Sequence, residues 1–147
     1  MNTQNSEDFD ALEEALNENN IPIEDLLSIY RDFLEDLANN EKFTAIPKKS
    51  LTYIRDCLKK SIRLLAEGKE EERKAIRNSL WALADENRET NPDLYNLARC
   101  TIIIYGKMED WDVAQDSPVF YCLFYLRKIL PDIEPDFIRY FKNSLLR

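Results

Sequence analysis

The amino-acid sequence predicts an all-α protein, and three observations lead to that prediction. The chain has 147 residues but only two glycines, which leaves few positions for the positive-φ turns of β-hairpins. Five of its six prolines stand at the front of amphipathic segments, where a missing N–H removes no helical hydrogen bond. Apolar residues then recur at the helical period within those segments. These patterns predict a single compact domain, residues 1–147, of about seven helices.

The first four predicted helices are amphipathic. The second shows the pattern most clearly, because Leu26, Tyr30, Phe33 and Leu37 share one face and acidic residues occupy the other. Gly68 follows the third helix and is expected to end it, since glycine readily adopts the left-handed conformation of a helix terminus. The four predicted spans are 7–18, 22–38, 47–67 and 70–88.

The last three predicted helices begin at prolines and include the most apolar segments of the chain. Asn91 and Ser117 precede prolines and are suitable N-cap residues, while Gly106 is expected to end the fifth helix. The predicted spans are 92–105, 118–130 and 135–146.

Two of these helices, 92–105 and 118–130, are apolar on almost every side. A helix of that kind is usually buried, so both are expected to be central, with the others around them in orthogonal or bundle-like packing. The run Thr101-Ile-Ile-Ile104 is rich in β-branched residues and leaves a short strand open as an alternative.

One internal resemblance suggests a duplicated helical unit. Residues 27–34 (LSIYRDFL) resemble residues 51–58 (LTYIRDCL), and an Ile-Pro pair precedes each of them. Amphipathic helices that begin with proline resemble one another by chance, so duplication and coincidence both remain open.

The absence of histidine from the chain excludes many catalytic sites. It removes Ser-His-Asp and Cys-His nucleophiles and histidine metal ligands. The three cysteines lie in apolar helical segments and are expected to be buried free thiols. The pair Asp32 and Glu35 lies opposite the apolar face of its helix and is expected to point to water. We therefore predict a protein without enzymatic activity, metal or cofactor.

Charge is distributed unevenly in this acidic chain, whose net charge is −8. Residues 1–40 contain eleven acids and one base, a local charge of −10, whereas residues 42–63 contain seven bases and one acid, a local charge of +6. One interpretation is that the acidic helices lie beside the basic helix, so that the charges screen each other. The other is that the acids form an anionic surface for a partner, with Asp8, Asp10, Glu13 and Glu14 as a candidate patch.

A tryptophan stands within a second acidic segment, residues 107–117 (KMEDWDVAQDS). Trp111 either folds back onto the core or is exposed as an anchor for a partner, since tryptophan is a common interface hot spot. Its acidic neighbours in the candidate site are Glu109, Asp110, Asp112 and Asp116. The other tryptophan, Trp81, is expected at the edge of the core.

These features predict a binding protein that masks a basic surface of a protein partner. Immunity and antitoxin-type inhibitors of bacterial toxin nucleases work in this way. A helical adaptor or assembly subunit that docks through an apolar helix face is the alternative. We expect neither nucleic acid nor a membrane surface as a partner for so acidic a chain, because both are anionic. We expect a cytoplasmic protein, either a monomer or a small homo-oligomer.

Overall fold

The computed structural model describes residues 7–106 and 118–145, and these residues form seven helices and no strand. The all-α prediction is therefore confirmed, and the run Thr101–Ile104 is helical. Each helix boundary within the described residues lies within one residue of its predicted position. The helices are α1 (Glu7–Glu18), α2 (Ile23–Asn39), α3 (Lys48–Ala66), α4 (Glu70–Asn87), α5 (Pro92–Ile104), α6 (Pro118–Ile129) and α7 (Glu134–Leu145).

Proline and asparagine begin the helices as their chemistry requires. Pro22 and Pro47 have nearly identical extended backbone angles and directly precede α2 and α3, so the two similar segments share one local geometry. Asn91 caps α5, because its side chain accepts a hydrogen bond from the Leu94 N–H at 3.1 Å, as predicted. The predicted cap Ser117 lies outside the described residues.

Three helices end in the same hydrogen-bonded turn, although glycine is present at only one of them. Gly68 follows α3 with a φ of 68°, and the next N–H, of Lys69, donates to the Leu64 carbonyl at 3.0 Å. Asn20 and Glu41 take the same left-handed conformation after α1 and α2, with φ of 51° and 56°. Glutamate is strained in this conformation and asparagine is less so, and glycine is therefore the usual residue at such a turn.

Helix α5 is the central helix of the fold. It contacts α2, α3, α4 and α6, and nine of its residues are buried. Tyr105, which follows it, is also buried and donates a hydrogen bond to the Cys57 carbonyl of α3. The prediction that this helix lies at the centre is confirmed.

Helix α6 is central on one side only, which differs from the expectation that both apolar helices are enclosed. Cys122, Leu123 and Leu126 are buried, whereas Phe124 is 40% exposed. The ring of Phe124 stacks on Phe120 and lies beneath the Lys128 ammonium, so its exposure is partly compensated by local contacts. An apolar run therefore does not by itself indicate enclosure when it is rich in aromatic residues.

The three cysteines are free and buried, as predicted. Burial raises the pKa of the Cys57 and Cys100 thiols, which keeps both protonated at neutral pH. They act as small apolar side chains in the core.

Candidate partner-binding surface

Helix α1 carries the residues of the candidate acidic patch beside and opposite its buried face. Phe9, Leu12 and Leu16 are buried at helical spacing. Phe9 lies 6.5 Å from Phe137 of α7, ring centre to ring centre, so α1 is attached to the fold through that apolar face.

The carboxylates that alternate with these apolar residues remain at the surface. Asp8, Asp10 and Glu14 are exposed, and Glu13 is half-buried. We call the three exposed residues the α1 acidic face. The negative charges of Asp8 and Asp10 also lie in the first turn, where they interact favourably with the helix dipole.

Helix α2 adds further exposed acids and has no free cation to offset them. Arg31 is the one base of residues 1–40, and it is paired with its neighbour Asp32 through an Nη2–Oδ1 distance of 2.9 Å. The exposed acids of α2 are Glu24, Asp25 and Asp36.

The basic helix α3 does not neutralise these acids by direct pairing. Its ion pairs stay within the helix or at its end: Lys60 binds Asp56 at 3.0 Å, and Arg63 lies 3.6 Å from Glu67. Arg55 donates to the neutral Asn39 side chain of α2. Among residues 7–106 and 118–145, no base of α3 forms an ion pair with an acid of α1 or α2. Direct contacts therefore do not support the interpretation that the bases of α3 screen the acids of α1 and α2.

Glu35 differs from its predicted position at the surface. The residue is half-buried, and its Oε1 is enclosed with no hydrogen-bond partner within the described part of the chain. Asp32 is closer to the expectation, with a side chain 47% exposed. Helix α2 has neighbours on several sides, which the helical period alone does not reveal.

The other half of the predicted site lies outside the described residues. These are the acidic residues Glu109, Asp110, Asp112 and Asp116, together with Trp111. Helix α5 precedes them in the chain. Two arginines of α4 donate hydrogen bonds to the backbone carbonyls at its carboxyl end. Arg73 reaches the carbonyls of Ile104 and Gly106, both at 3.3 Å, and Arg77 reaches that of Tyr105 at 3.1 Å.

Arg73 has a structural role that the sequence analysis missed. Its side chain is only 2% exposed, although it carries a charge and the glutamates before it in the first turn of α4 are exposed. The spacing of the sequence could have revealed its burial, since Arg73 lies three residues before Ile76 and seven before Leu80. This spacing places it on the face of α4 that packs inward. A long cation on that face can satisfy carbonyls at the end of a neighbouring helix.

A second surface feature, also missed, spans α4, α5 and α6. The Arg99 guanidinium lies between two rings, 4.6 Å from the centre of Trp81 and 4.5 Å from that of Tyr125. Arg99 also donates to the Tyr95 hydroxyl at 2.9 Å, and Arg88 lies 5.3 Å above the same ring. Burial acts to raise the pKa of Tyr95, but hydrogen bonds from Arg99 and Arg88 outweigh it and lower that pKa overall.

The same series of rings and cations continues along α6. Phe124 packs edge-on against Tyr125 at 5.1 Å, and the Lys128 ammonium lies 4.5 Å above Phe124. The sequence could have indicated two of these contacts, because Tyr95 and Arg99, like Phe124 and Lys128, are four residues apart and therefore adjacent on a helix surface. We call the whole set the aromatic–cation strip; its members are Trp81, Arg88, Tyr95, Arg99, Phe124, Tyr125 and Lys128.

The described residues offer no metal-binding group of three or more cysteine, aspartate or glutamate side chains. None of the described helices combines the length and the apolar character needed to cross a bilayer. Comparisons with protein-family models, curated proteins and solved structures gave no match to this chain. The chemistry of its surfaces therefore carries the functional inference.

Proposed function

We propose that this chain is a non-enzymatic binding protein that masks a basic surface of a protein partner. The observation that supports the proposal is the excess of acids in its amino-terminal part, together with the exposure of the α1 acidic face. Residues 1–40 contain eleven acids and one base, and that base is paired with Asp32. A compact field of one sign accelerates association with a surface of the opposite sign and fixes its orientation.

In this proposal the carboxylates take the place of the phosphates that a nucleic-acid-binding partner would otherwise contact. Basic clefts of nucleases bind phosphate oxygens through lysine and arginine, and carboxylates accept hydrogen bonds from the same groups. A cytoplasmic immunity or antitoxin-type inhibitor of a bacterial toxin is the class of protein that fits this chemistry. Trp111 is the proposed apolar anchor, with Glu109, Asp110, Asp112 and Asp116 around it.

Neutralising the α1 acidic face is expected to weaken the complex about tenfold, because three solvent-exposed charge contacts contribute ~0.2–1 kcal/mol each. The test uses the chain as bait in lysate of its own cell, with the wild type and the triple variant Asp8→Asn, Asp10→Asn, Glu14→Gln side by side. Captured proteins are identified by mass, and the affinity of the purified partner is then measured at low and high salt.

A matched control removes the same charge from another helix. The residues Glu71, Glu72 and Glu86 of α4 are exposed, and their replacement by glutamine changes the net charge equally. We expect this control to retain a strongly basic partner that the α1 variant loses, with Trp111→Ala also reducing recovery. Equal recovery by the α1 variant and the control would contradict the proposed site, and a captured partner that is not basic would contradict the proposed function.

A helical adaptor that docks through an apolar face is the second candidate, and one observation favours it. Phe124 is 40% exposed and stacks on the half-buried ring of Phe120, which places aromatic surface on the outside of α6. Salt separates the two candidates. A complex steered by charge weakens as ionic strength rises, whereas apolar docking persists or strengthens.

A further inference from the structure

The aromatic–cation strip contains three cations without a carboxylate partner. Arg88, Arg99 and Lys128 take part in none of the ion pairs formed among residues 7–106 and 118–145. Each of them instead lies over an aromatic ring, at 4.5 to 5.9 Å from the ring centre. These cations therefore have aromatic rings and not carboxylates as their neighbours, although the chain has a net charge of −8.

The rings of the strip form a continuous path that joins these cations. Tyr95 lies beneath both Arg88 and Arg99, and Tyr125 connects Arg99 to Phe124 and so to Lys128. The guanidinium of Arg99 is held in place by Trp81 and Tyr125, so little side-chain entropy is lost when it binds a further group. Such a guanidinium is well suited to donate hydrogen bonds to a carboxylate.

Apolar surface accompanies the charge. Trp81 is 37% exposed and Phe124 is 40% exposed, on two different helices of the strip. Exposed aromatic rings beside fixed cations are the residue types most enriched at the centres of protein interfaces. The ligand that complements this surface is anionic and also carries apolar side chains.

We propose that the aromatic–cation strip binds an acidic segment of a second protein partner, with glutamate or aspartate on Arg88, Arg99 and Lys128 and apolar side chains against Trp81 and Phe124. This goes beyond masking a basic partner, since it uses another surface with the opposite charge. The protein would then connect a basic partner to an acidic one. Charge complementarity selects this occupant over a nucleic acid, because a long polyanion also meets the negative potential of the remaining surface, whereas a short acidic segment is confined to the strip.

The test is a titration of the isotope-labelled full chain, followed by nuclear magnetic resonance at the Trp81 indole N–H. The Trp81→Phe variant assigns that resonance. Three probes are compared: a short blocked peptide that alternates glutamate with phenylalanine, the same peptide with glutamine in place of glutamate, and a thymidine oligonucleotide of similar length. We expect the glutamate peptide alone to give a saturable shift at Trp81, and this shift to decrease with added salt.

Two variants of the strip are each compared with a control variant at another exposed site, so that a loss of binding can be distinguished from a general effect of surface substitution. Arg88→Gln with Lys128→Gln removes exposed charges and is expected to weaken peptide binding about fivefold, whereas Lys49→Gln with Lys59→Gln, on the exposed side of α3, leaves it unchanged. Phe124→Ala is expected to weaken binding, while Tyr53→Ala, at a site 37% exposed, does not.

Three results would overturn the proposal. One is the absence of any Trp81 shift with millimolar glutamate peptide. The second is equal binding of the glutamine peptide, which would indicate apolar docking without charge. The third is tighter binding of the oligonucleotide, which would indicate a nucleic-acid surface. None of these results depends on the α1 acidic face, so failure here leaves the proposed function to its own test.

Discussion

Replacing Phe137 with alanine is expected to destabilise the protein by about 4 kcal/mol, because the side chain is fully buried and its loss creates a large cavity. Its ring contacts Phe9 of α1, Tyr30 and Phe33 of α2, and Phe141 of its own helix, with ring centres 4.9 to 6.5 Å apart. Aromatic pairs of this kind add to the effect of burial. Urea unfolding followed by circular dichroism measures the change.

The control is Phe124→Ala, which removes the same side chain from a position 40% exposed on α6. We expect this variant to lose about 1 kcal/mol or less, since its ring is only partly removed from water. Similar losses for the two variants would show that Phe137 is not the connection between α1, α2 and α7. Because α1 is attached through Phe9, proteolysis of Phe137→Ala should also begin in α1.

Replacing Arg73 with methionine is expected to cost about 3 kcal/mol, although methionine preserves most of the packing volume. The guanidinium donates to the buried carbonyl of Ile104 and to the part-buried carbonyl of Gly106, and a buried carbonyl left without a donor costs ~1–3 kcal/mol. Its ion pair with Glu70 contributes little, because the Glu70 side chain is 61% exposed. The stability of the variant is measured by thermal and urea unfolding.

Two further substitutions test this interpretation of Arg73. Arg73→Lys retains the charge but lacks the planar fork, so it should recover only part of the loss. Arg77→Met removes a single bond, to the Tyr105 carbonyl, from a half-buried side chain and is expected to cost about 1 kcal/mol. Full recovery with lysine would indicate that the planar guanidinium of Arg73 is not required at this site.

Most of the fold was accessible from the sequence because helices have a short, regular period. The spacing of Leu26, Tyr30, Phe33 and Leu37 predicted one buried face, and all four are buried. The ends marked by proline, by Asn91 and by Gly68 were predicted for the same reason, since those residues act through local backbone chemistry. The left-handed conformation of Glu41, which follows the end of α2, could not be predicted, because nothing in the chemistry of glutamate favours it.

The surface was less accessible because it depends on which helices become neighbours. The sequence showed an excess of acids in residues 1–40 and of bases in residues 42–63, but not that the bases of α3 would find their ion-pair partners within or at the end of their own helix. It also did not show that Trp81, Arg99 and Tyr125, on three separate helices, would stack together. The aromatic residues of the helix predicted at 118–130 were expected to be enclosed, whereas the side chains of α6 divide between core and surface.

The central claim is that negative potential extends outward from α1, because Asp8, Asp10 and Glu14 are exposed and form no ion pair among residues 7–106 and 118–145. Paramagnetic relaxation of amide protons by a cationic and an anionic nitroxide, added separately at low salt, measures that potential residue by residue. We predict that the amide protons of residues 7–18 relax faster with the cationic probe, by a larger ratio than the average of the described chain, and that salt at about 0.1 M reduces the ratio through screening. Equal relaxation of these amide protons by the two probes would contradict the claim.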